Sequence, residues 1–366
     1  MKHIVISGIG LFEGGPLSVY YDCLQTVKQM KLYLSYQITA FVHKRELFQE
    51  FTDIVQIIEL PDARKCYFLR AYYEFVYFYQ FSKKNHIDIW LSLQDITPNV
   101  IAERKYTYCH NPLPFMKKNI RNARYSPKVV FFSYIYKYIY RINIRAAAAV
   151  IVQQDWLRQE FLKRYPVADV IVARPEMMEK RKIIDKSRMN KQLVFIYAAY
   201  PRFFKNYEVI LQAAKMMESK GIYDFEVWLT IDGSENKYAC ELKDKYNELK
   251  TIRWMGLMPR DELIEKYGEA DCMIFPSMLE TWGLPISEFK ETGKPMILAD
   301  LPYAHEALAE YDKAVFFDPK DKKQLARLMK MAVNGKQFYQ RQEGIRIIKP
   351  YANNWGELFH ILLLDE

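Results

Sequence analysis

Strand-like and helix-like segments alternate along this chain from one end to the other, and this alternation restricts the fold more than any other feature. The strand-like segments are short apolar runs, among them "HIVISG", "IDIWLSL", "AAVIVQQ", "QLVFIYAA", "DCMIFPS" and "PMILAD". Short, continuously apolar strands joined by helices are typical of parallel sheets that helices cover on both faces. The sequence therefore predicts an α/β fold built on parallel sheets.

The alternation is interrupted once, and the interruption divides the chain in two. The charged segment "EKRKIIDKSRMNK" follows "VIVARPEMM", and the pattern then restarts. A chain of 366 residues also exceeds the length at which one hydrophobic core usually stops growing. We predict two Rossmann-like domains that face each other across a cleft, with the following boundaries: residues 1–172, a linker over 173–191, residues 192–345, and a final helix within 346–366.

The positive charge of the chain is concentrated in one stretch. The net charge is +9, and residues 104–154 contain ten Lys and Arg but no acid. Lys137, Arg141 and Arg145 recur every four residues in the aromatic run "VVFFSYIYKYIYRINIR", which predicts a helix with a basic stripe and excludes a membrane span. Two interpretations stay open for this run and for "CYFLRAYYEFVYFYQFSKK": buried helices with solvated basic ends, or a surface that rests on an anionic membrane.

Cysteine usage and the lack of common signature sequences narrow the chemistry. The five cysteines are widely spaced without a C-x-x-C pair, which argues against a disulfide framework and a zinc site. The start "MKHIVISGIG" enters a strand without an apolar leader, so we expect a cytoplasmic protein. No H-E-x-x-H, G-x-S-x-G or Walker sequence occurs, so we expect chemistry that needs neither metal nor cofactor.

Two glutamates flank the turn in "LETWGLPISEFK". Pro285 suits the first position of a helix, so the backbone N–H groups of Gly283 and Leu284 would favour an anion such as phosphate. Carboxylates repel phosphate, so Glu280 and Glu288 fit such a site only if they accept hydrogen bonds from hydroxyls beside it. A nucleotide sugar has hydroxyls on both sides of its diphosphate. The alternative is that Glu288 complements the helix dipole and Glu280 caps a loop.

The loop "YPRFFKN" places two cations before the next predicted helix. Arg202 and Lys205 precede a helix that we predict to begin with Asn206 as its cap, and this end of a helix prefers acids. A bound anion would remove the conflict. The alternative is that both side chains extend into water.

Two loops of the first domain are further candidates. The loop "GIGLFEGGPLSV", which contains Gly14 and Gly15, either lets the backbone approach a ligand or makes a plain tight turn. The second strand then ends in "HKR", with no acid for an NAD ribose, which excludes a dehydrogenase. His110 ends the strand "YTYCH", where it is either structural or directed at the cleft.

Taken together, these segments resemble glycosyltransferase family 4, the retaining enzymes of GT-B architecture. The specific element is "ETWGLPISE", which is similar to the E-x7-E signature of the family. The likeness spans most of the chain, because the glycine-rich loop, the strand end at His110, the basic loop and "WMGLMPRDELIEKY" also match. The sequence departs from the family in two places. Thr281 stands where glycine is usual and is followed by the bulky Trp282, so we expect a narrower sugar pocket. Arg202 lies unusually close to Lys205 in sequence.

The resemblance implies a role for each candidate residue. The first domain would bind the acceptor, the second the nucleotide-sugar donor, and the final helix would cross back to the first domain. The catalytic set would be Glu280, Lys205, Arg202 and His110, acting on the sugar and the leaving diphosphate. The donor-binding set would be Glu288 at the ribose, Gly283, Leu284 and Thr281 at the signature, Gly256 and Leu257 near the base, and Gly14 and Gly15 at the donor phosphate or the acceptor.

The resemblance also implies a retaining hexosyltransferase that uses a UDP- or GDP-sugar without metal or cofactor. Combined with the basic aromatic stretch, residues 104–145, it implies a lipid-linked glycan acceptor at the inner face of the cytoplasmic membrane, in bacterial surface polysaccharide assembly. Two alternatives stay open. One is a sugar-nucleotide epimerase of the same architecture. The other is a basic RNA-binding protein, which leaves the two glutamates unexplained, so we expect no nucleic-acid partner.

Overall fold

The structure is a computed structural model that describes residues 1–116, 124–175 and 192–363. The chain forms two compact units. The first comprises Met1–Lys117, Phe131–Met177 and Ile347–Glu366, and the second comprises Lys118–Val130 and Met178–Arg346. Residues 176–191 of the predicted linker lie outside the described residues.

The first unit is built on an eight-stranded sheet. Its strands are β1 (Lys2–Ser7), β2 (Tyr36–Val42), β3 (Gln56–Glu59), β4 (Ile89–Ser92), β5 (Arg104–Cys109), β6 (Ala149–Val152), β7 (Val170–Ala173) and β15 (Tyr351–Ala352). They lie in the order β15-β7-β6-β5-β4-β1-β2-β3, and every neighbouring pair is parallel. The helices are α1 (Gly14–Gln29), α2 (Tyr67–Tyr72), a π-helical turn (Tyr73–Tyr77), α3 (Phe78–Lys84), α5 (Asp155–Arg164) and α12 (Trp355–Leu363), while α4 (Pro127–Ile139) crosses the boundary between the units in sequence.

Helices cover both faces of this sheet. Successive side chains of a strand point to opposite faces, and Val5 and Ile6 on β1 are both fully buried. Val5 belongs to a cluster with Trp90, whereas Ile6 belongs to a cluster that includes Tyr20 of α1. The continuously apolar strands thus fit a sheet buried on both sides.

The second unit has a seven-stranded sheet in the order β10-β9-β8-β11-β12-β13-β14. Its strands are β8 (Leu193–Tyr197), β9 (Phe225–Leu229), β10 (Ile252–Trp254), β11 (Cys272–Phe275), β12 (Met296–Ala299), β13 (Tyr311–Phe317) and β14 (Gln340–Gln342), of which only β14 is antiparallel to its neighbour. Its helices are α6 (Tyr207–Glu218), α7 (Lys237–Tyr246), α8 (Arg260–Glu269), α9 (Leu284–Lys290), α10 (Pro302–Leu308) and α11 (Lys322–Val333). Two α/β units with parallel sheets confirm the predicted fold class.

The predicted basic stripe does not form on one helix. The helix that carries Lys137 ends at Ile139, and Asn143 adopts a left-handed conformation before a short 3-10 turn over Ile144–Ala146. Arg141 and Arg145 therefore lie beyond the helix, where their side chains are exposed. The aromatic and basic run thus extends beyond Ile139, where the helix ends.

The other aromatic run has two faces. Phe78 of α3 is fully buried against Trp90, with ring centroids 5.1 Å apart, so one face belongs to the core. Tyr67 and Phe68 of α2 are exposed, Phe68 to 88 %. None of the helices in the described ranges has the length and apolar character needed to cross a membrane.

Candidate functional site

Four loops follow neighbouring strands of the second unit, and they bring together most of the predicted donor-binding residues. Ligands of open α/β sheets bind beyond the carboxyl ends of parallel strands. Because β10, β9, β8 and β11 are consecutive in the sheet, the loops that follow them lie at one edge. These loops contain Lys205 after β8, Asp232 after β9, Gly256 after β10 and Glu280 after β11.

Lys205 and Glu280 form a direct ion pair between two of these loops. The Lys205 Nζ lies 2.5 Å from Oε1 of Glu280, and the two side chains are 16 % and 12 % exposed. The backbone fixes the pair from both sides: the Met278 N–H donates to the Phe204 carbonyl (2.7 Å), and the Tyr197 hydroxyl donates to the Lys205 carbonyl (2.7 Å). Two residues separated by 75 positions in sequence are thus held together in a mostly buried setting.

Arg202 is not part of this pair. Its side chain is exposed, and its guanidinium lies 5.9 Å from the ring centre of Tyr200 and 6.0 Å from that of Phe204. Asn206 stands at the N-cap position of α6 as predicted, but its side chain does not cap the helix. Instead its Nδ2 donates to the carbonyls of Pro276 (3.1 Å) and Pro319 (2.8 Å), which ties the loop after β8 to the loop after β11.

The second glutamate of the signature also has a cationic partner. Arg260 Nη2, at the start of α8, lies 2.7 Å from Glu288 Oε1. Glu288 is 15 % exposed and Arg260 is 48 % exposed. Both signature acids are therefore paired with cations of the same unit, which offset the negative charge of the two carboxylates. Sequence reasoning missed Arg260, although its position inside "MPRDELIEKY" marked the segment.

The turn between the glutamates leads into a helix, as predicted, although α9 begins at Leu284, one residue before Pro285. Gly283 is the N-cap of α9 with a φ of +89°, and a Cβ there would lie 3.3 Å from the Ile286 side chain. Leu284 is partly exposed and Thr281 half-buried. Trp282 is buried, and its indole donates to the Ser287 hydroxyl at 3.0 Å. Its bulk is thus packed inside the unit.

The loops after β9 and β10 meet at Gly256. Its φ is +77°, and a Cβ there would lie 3.2 Å from Oδ2 of Asp232. The Glu235 carboxylate closes the loop after β9 by accepting hydrogen bonds from the backbone N–H groups of Asp232 (2.8 Å) and Gly233 (3.0 Å). Leu257 is exposed. Sequence reasoning did not select Asp232 or Glu235, because nothing local indicates that the two loops touch.

In the first unit, His110 is held in one orientation. Its Nε2 lies 2.7 Å from the Leu93 carbonyl, which can only accept, so Nε2 carries the proton and the neutral ring leaves Nδ1 as an acceptor. Burial lowers the pKa of His110, while Asp95 and the Leu93 carbonyl act in the opposite direction. The ring is therefore neutral near pH 7. Asp95 also accepts from the His110 N–H at 2.6 Å.

The glycines of the glycine-rich loop in the first unit have different surroundings. A Cβ on Gly8 would lie 2.4 Å from the Tyr20 ring, so Gly8 is required for packing. Gly14, with a φ of +64°, and Gly15 begin α1, and a Cβ on either would meet no atom within 4 Å. These two glycines face open space, as a loop that admits a ligand requires.

One group of described residues has the spacing of a metal site, and it includes no predicted site residue. His86, Asp88 and Glu103 have potential ligand atoms within 4.8 Å of one another, on the first unit. His86 and Glu103 are exposed, and exposed acidic clusters are common without a bound ion.

Comparison with known proteins finds similar sequences for parts of this chain. Residues 178–344 match the family model described as "Glycosyl transferases group 1". The O-antigen chain mannosyltransferase RfbU of Salmonella typhimurium is 22 % identical over 225 residues, which cover 58 % of this chain and 60 % of that protein. The O-antigen chain mannosyltransferase B of Escherichia coli is 22 % identical over 191 residues, 49 % of this chain and 50 % of that protein. The chain thus spans 60 % or less of these relatives.

Solved structures extend the likeness to 93 % of the chain at the level of fold. The lipopolysaccharide outer core galactosyltransferase WaaB superposes with a TM-score of 0.63, at 14 % identity over 93 % of this chain and 92 % of WaaB. Anabaena HepE, solved with UDP and glucose, gives a TM-score of 0.59 at 13 % identity, with 93 % and 92 % of the two chains covered. The fold is therefore that of the GT-B glycosyltransferases, as predicted, and over residues 178–344 the family model supports the predicted resemblance.

Proposed function

We propose that this chain, whose residues 178–344 match the group 1 glycosyl transferases within a GT-B fold, moves a hexose from a UDP- or GDP-sugar to a hydroxyl of a glycan acceptor. The observation that carries the proposal is the ion pair of Lys205 and Glu280, held at the carboxyl ends of two adjacent strands. The names of the relatives, which are O-antigen chain mannosyltransferases, support a role in bacterial surface polysaccharide assembly.

In the proposed reaction, the bond between the anomeric carbon and the diphosphate oxygen breaks, and its electron pair stays with the diphosphate. The acceptor hydroxyl oxygen bonds to the anomeric carbon, and its proton passes to the departing diphosphate. Negative charge therefore grows on the diphosphate, beside which we place the Lys205 ammonium. Glu280 holds that ammonium in place and accepts hydrogen bonds from hydroxyls of the transferred sugar. Retention at the anomeric carbon is part of the proposal and rests on the family resemblance.

The remaining donor contacts follow the same logic. Glu288 would accept the ribose hydroxyls, and Arg260 would hold its carboxylate in the orientation that this requires. The backbone N–H groups of Gly283 and Leu284 would donate to the diphosphate, alongside Lys205. Together they offer the diphosphate several donors from the protein alone, so we propose a reaction without metal or cofactor and expect activity to persist in a chelator. The neutral His110 ring would contribute a hydrogen bond to the sugar rather than a charge.

The first experiment is a thermal shift series with UDP, GDP and their hexose conjugates. A ligand that binds only the folded state raises the melting temperature. We expect one base to stabilise the protein, one sugar to add to the shift, and Glu288→Ala to abolish most of it. Glu291→Ala, which removes an exposed acid at the end of the same helix, is the matched control. A protein that no nucleotide stabilises would contradict the donor site.

Product analysis separates the alternatives. A transferase releases nucleoside diphosphate and elongates an acceptor glycan, whereas an epimerase returns a nucleotide-linked sugar of altered configuration. An RNA-binding protein would bind RNA in a strongly salt-dependent way and ignore nucleotide sugars. The family match and the relatives' names favour the transferase.

We also propose that the first unit rests on an anionic membrane through an aromatic surface made of Tyr67, Phe68, Phe131 and Phe132. The rings of Tyr67 and Phe132 lie 5.6 Å apart, which joins α2 to α4, and Phe68 and Phe131 are exposed. Tyr favours the headgroup region, Phe enters the boundary between headgroups and acyl chains, and cations favour anionic lipid. Lys128 and Lys137 belong to the same helix, α4, as Phe131 and Phe132, and residues 104–154 contain no acid.

Vesicle sedimentation tests this surface. We expect binding to phosphatidylglycerol vesicles, little binding to phosphatidylcholine vesicles, and a loss of at least tenfold in the double variant Phe68→Ser, Phe131→Ser. Leu162→Ser, which changes an exposed apolar residue elsewhere on the first unit, is the control. Equal binding by the double variant and the control would refute the membrane proposal.

A further inference from the structure

A fully buried carboxyl group lies in the first unit, outside every site described above. Glu74 is in the π-helical turn and is 0 % exposed. One of its oxygens accepts a hydrogen bond from Nε2 of Gln94, while its Oε2 has no hydrogen-bond partner among the described residues. Acidic side chains are almost never fully buried unless they are paired or hydrogen-bonded.

The partner of Glu74 reaches the glycine-rich loop. Gln94 is itself buried, and its Oε1 accepts a hydrogen bond from the Gly10 N–H at 2.9 Å. The carboxamide therefore has one end on the loop and the other end on Glu74. An NH2 group needs an acceptor, so Glu74 determines which way the amide points.

Arg70 completes the cluster and lies close to Gly10 of the loop. Its Nη2 donates to the Gln94 carbonyl at 3.2 Å. A Cβ on Gly10 would lie 3.3 Å from the guanidinium carbon, so a larger residue would press on Arg70. The loop backbone is thus fixed by the side chain of Gln94 and confined by Arg70.

The π-helical turn holds Glu74 firmly in this position. A π turn leaves backbone groups without their usual helical partners, and Asn99 provides partners for two of them. Its N–H donates to the Glu74 carbonyl at 3.0 Å, and its Nδ2 donates to the Phe75 carbonyl at 3.2 Å. The next residue after Gln94 is Asp95, which binds the backbone of His110. Two consecutive residues therefore fix both candidate loops of the first unit.

We propose that Glu74 is a positioning residue, which acts through Gln94 to hold the Gly10 backbone and thereby the loop of Gly8–Gly15 in the geometry that sugar transfer needs. The proposal rests on the proposed transferase function for its catalytic part. A leucine would fill the same space without burying a polar group, but it could not accept the hydrogen bond from Gln94.

Hydrogen exchange and kinetics of three variants test the proposal. Glu74→Leu removes the acceptor, Glu74→Gln keeps one, and Phe78→Leu disturbs the same helical segment without touching Gln94. In Glu74→Leu, we expect the backbone amide hydrogens of residues 8–15 to exchange with solvent about tenfold faster than in the wild type. We also expect kcat to fall about tenfold, while the affinity for nucleoside diphosphate stays unchanged. Glu74→Gln should restore most of both values.

Three outcomes would overturn the proposal. In the first, Glu74→Leu leaves exchange of residues 8–15 as in the wild type. In the second, this exchange rises in Glu74→Leu no more than in Phe78→Leu. In the third, kcat stays unchanged although the loop exchanges faster. A wild-type protein that is inactive with every nucleotide sugar would count against the transferase function alone, and loop exchange would then still decide whether Glu74 fixes the loop.

Discussion

Exchanging Glu74 for glutamine should change how the stability of the first unit depends on pH. Burial raises the pKa of Glu74 to about 7 from its usual 4.5, and the neighbouring Arg70 offsets only part of this rise. A carboxyl whose pKa is higher in the folded than in the unfolded state binds its proton more tightly when folded. Its stabilising effect is therefore complete below about pH 4.5 and is lost as the pH rises through about 7.

The size of the effect follows from these two pKa values. At about 1.4 kcal/mol per pH unit, ionising Glu74 costs the folded state about 3 kcal/mol in total. Between about pH 5 and about pH 8 the loss is about 2 kcal/mol, because part of it has already occurred at pH 5. For a domain of this size, about 2 kcal/mol corresponds to a fall in melting temperature of about 4–8 °C.

The assay is thermal unfolding of the wild type and Glu74→Gln at both pH values, followed by tryptophan fluorescence. Trp90, Trp156 and Trp355 report on the first unit. Titration of other groups, such as His3 and His43, whose pKa values burial lowers, is common to both proteins and cancels in the difference. We expect the wild type to lose about 4–8 °C more than the variant. Parallel losses in the two proteins would show that Glu74 is not a buried neutral carboxyl, and the reasoning would fail.

Three further variants test other parts of the structure. Lys205→Met should lower kcat about 10²- to 10³-fold. The control Lys215→Met, which changes an exposed lysine of α6, should leave kcat unchanged. Equal kcat values for the two variants in steady-state kinetics would contradict the role assigned to Lys205. Arg260→Ala should weaken nucleotide binding about two- to fivefold, because its half-exposed ion pair orients Glu288. Calorimetry measures the nucleotide affinity of this variant and of the control Glu262→Ala, and equal affinities would contradict the role of Arg260. Gly8→Ala should lower the free energy of unfolding by about 1–3 kcal/mol, because the new Cβ would overlap the Tyr20 ring. The control Gly15→Ala, whose Cβ would meet no atom within 4 Å, should not lower the melting temperature.

Local sequence signals predicted the elements that depend on short-range order. The continuously apolar strands are the buried strands of parallel sheets, and the turn at Gly283 has the left-handed backbone that only glycine adopts easily. The strands "QIIE" (β3) and "QRQ" (β14) were missed because such short edge strands carry no clear pattern.

Pairings between distant residues were beyond the reach of the sequence. Nothing near Arg260 indicates that its side chain meets Glu288, and the hydrogen bond from Gln94 to Glu74 joins residues of different elements across 20 positions. The predicted basic stripe is wrong for a related reason. Its periodicity continues past Ile139, but the helix ends there, and the chain then turns at Asn143 before it enters β6.

The first unit is completed only by the last part of the chain, and this has a consequence for its synthesis. Strand β15 adds to the edge of the sheet beside β7, and Trp355 and Phe359 of α12 enter the same core as Ile6 and Tyr20. A ribosome makes proteins from the N-terminus, and domains commonly fold as they emerge. Here the second unit can finish folding first. Until the last residues emerge, the first unit has an unpaired sheet edge at β7 and an apolar face that α12 does not yet cover. We expect the early chain to need chaperone protection until residues 347–363 emerge, and a fragment of residues 1–175 to aggregate when expressed alone.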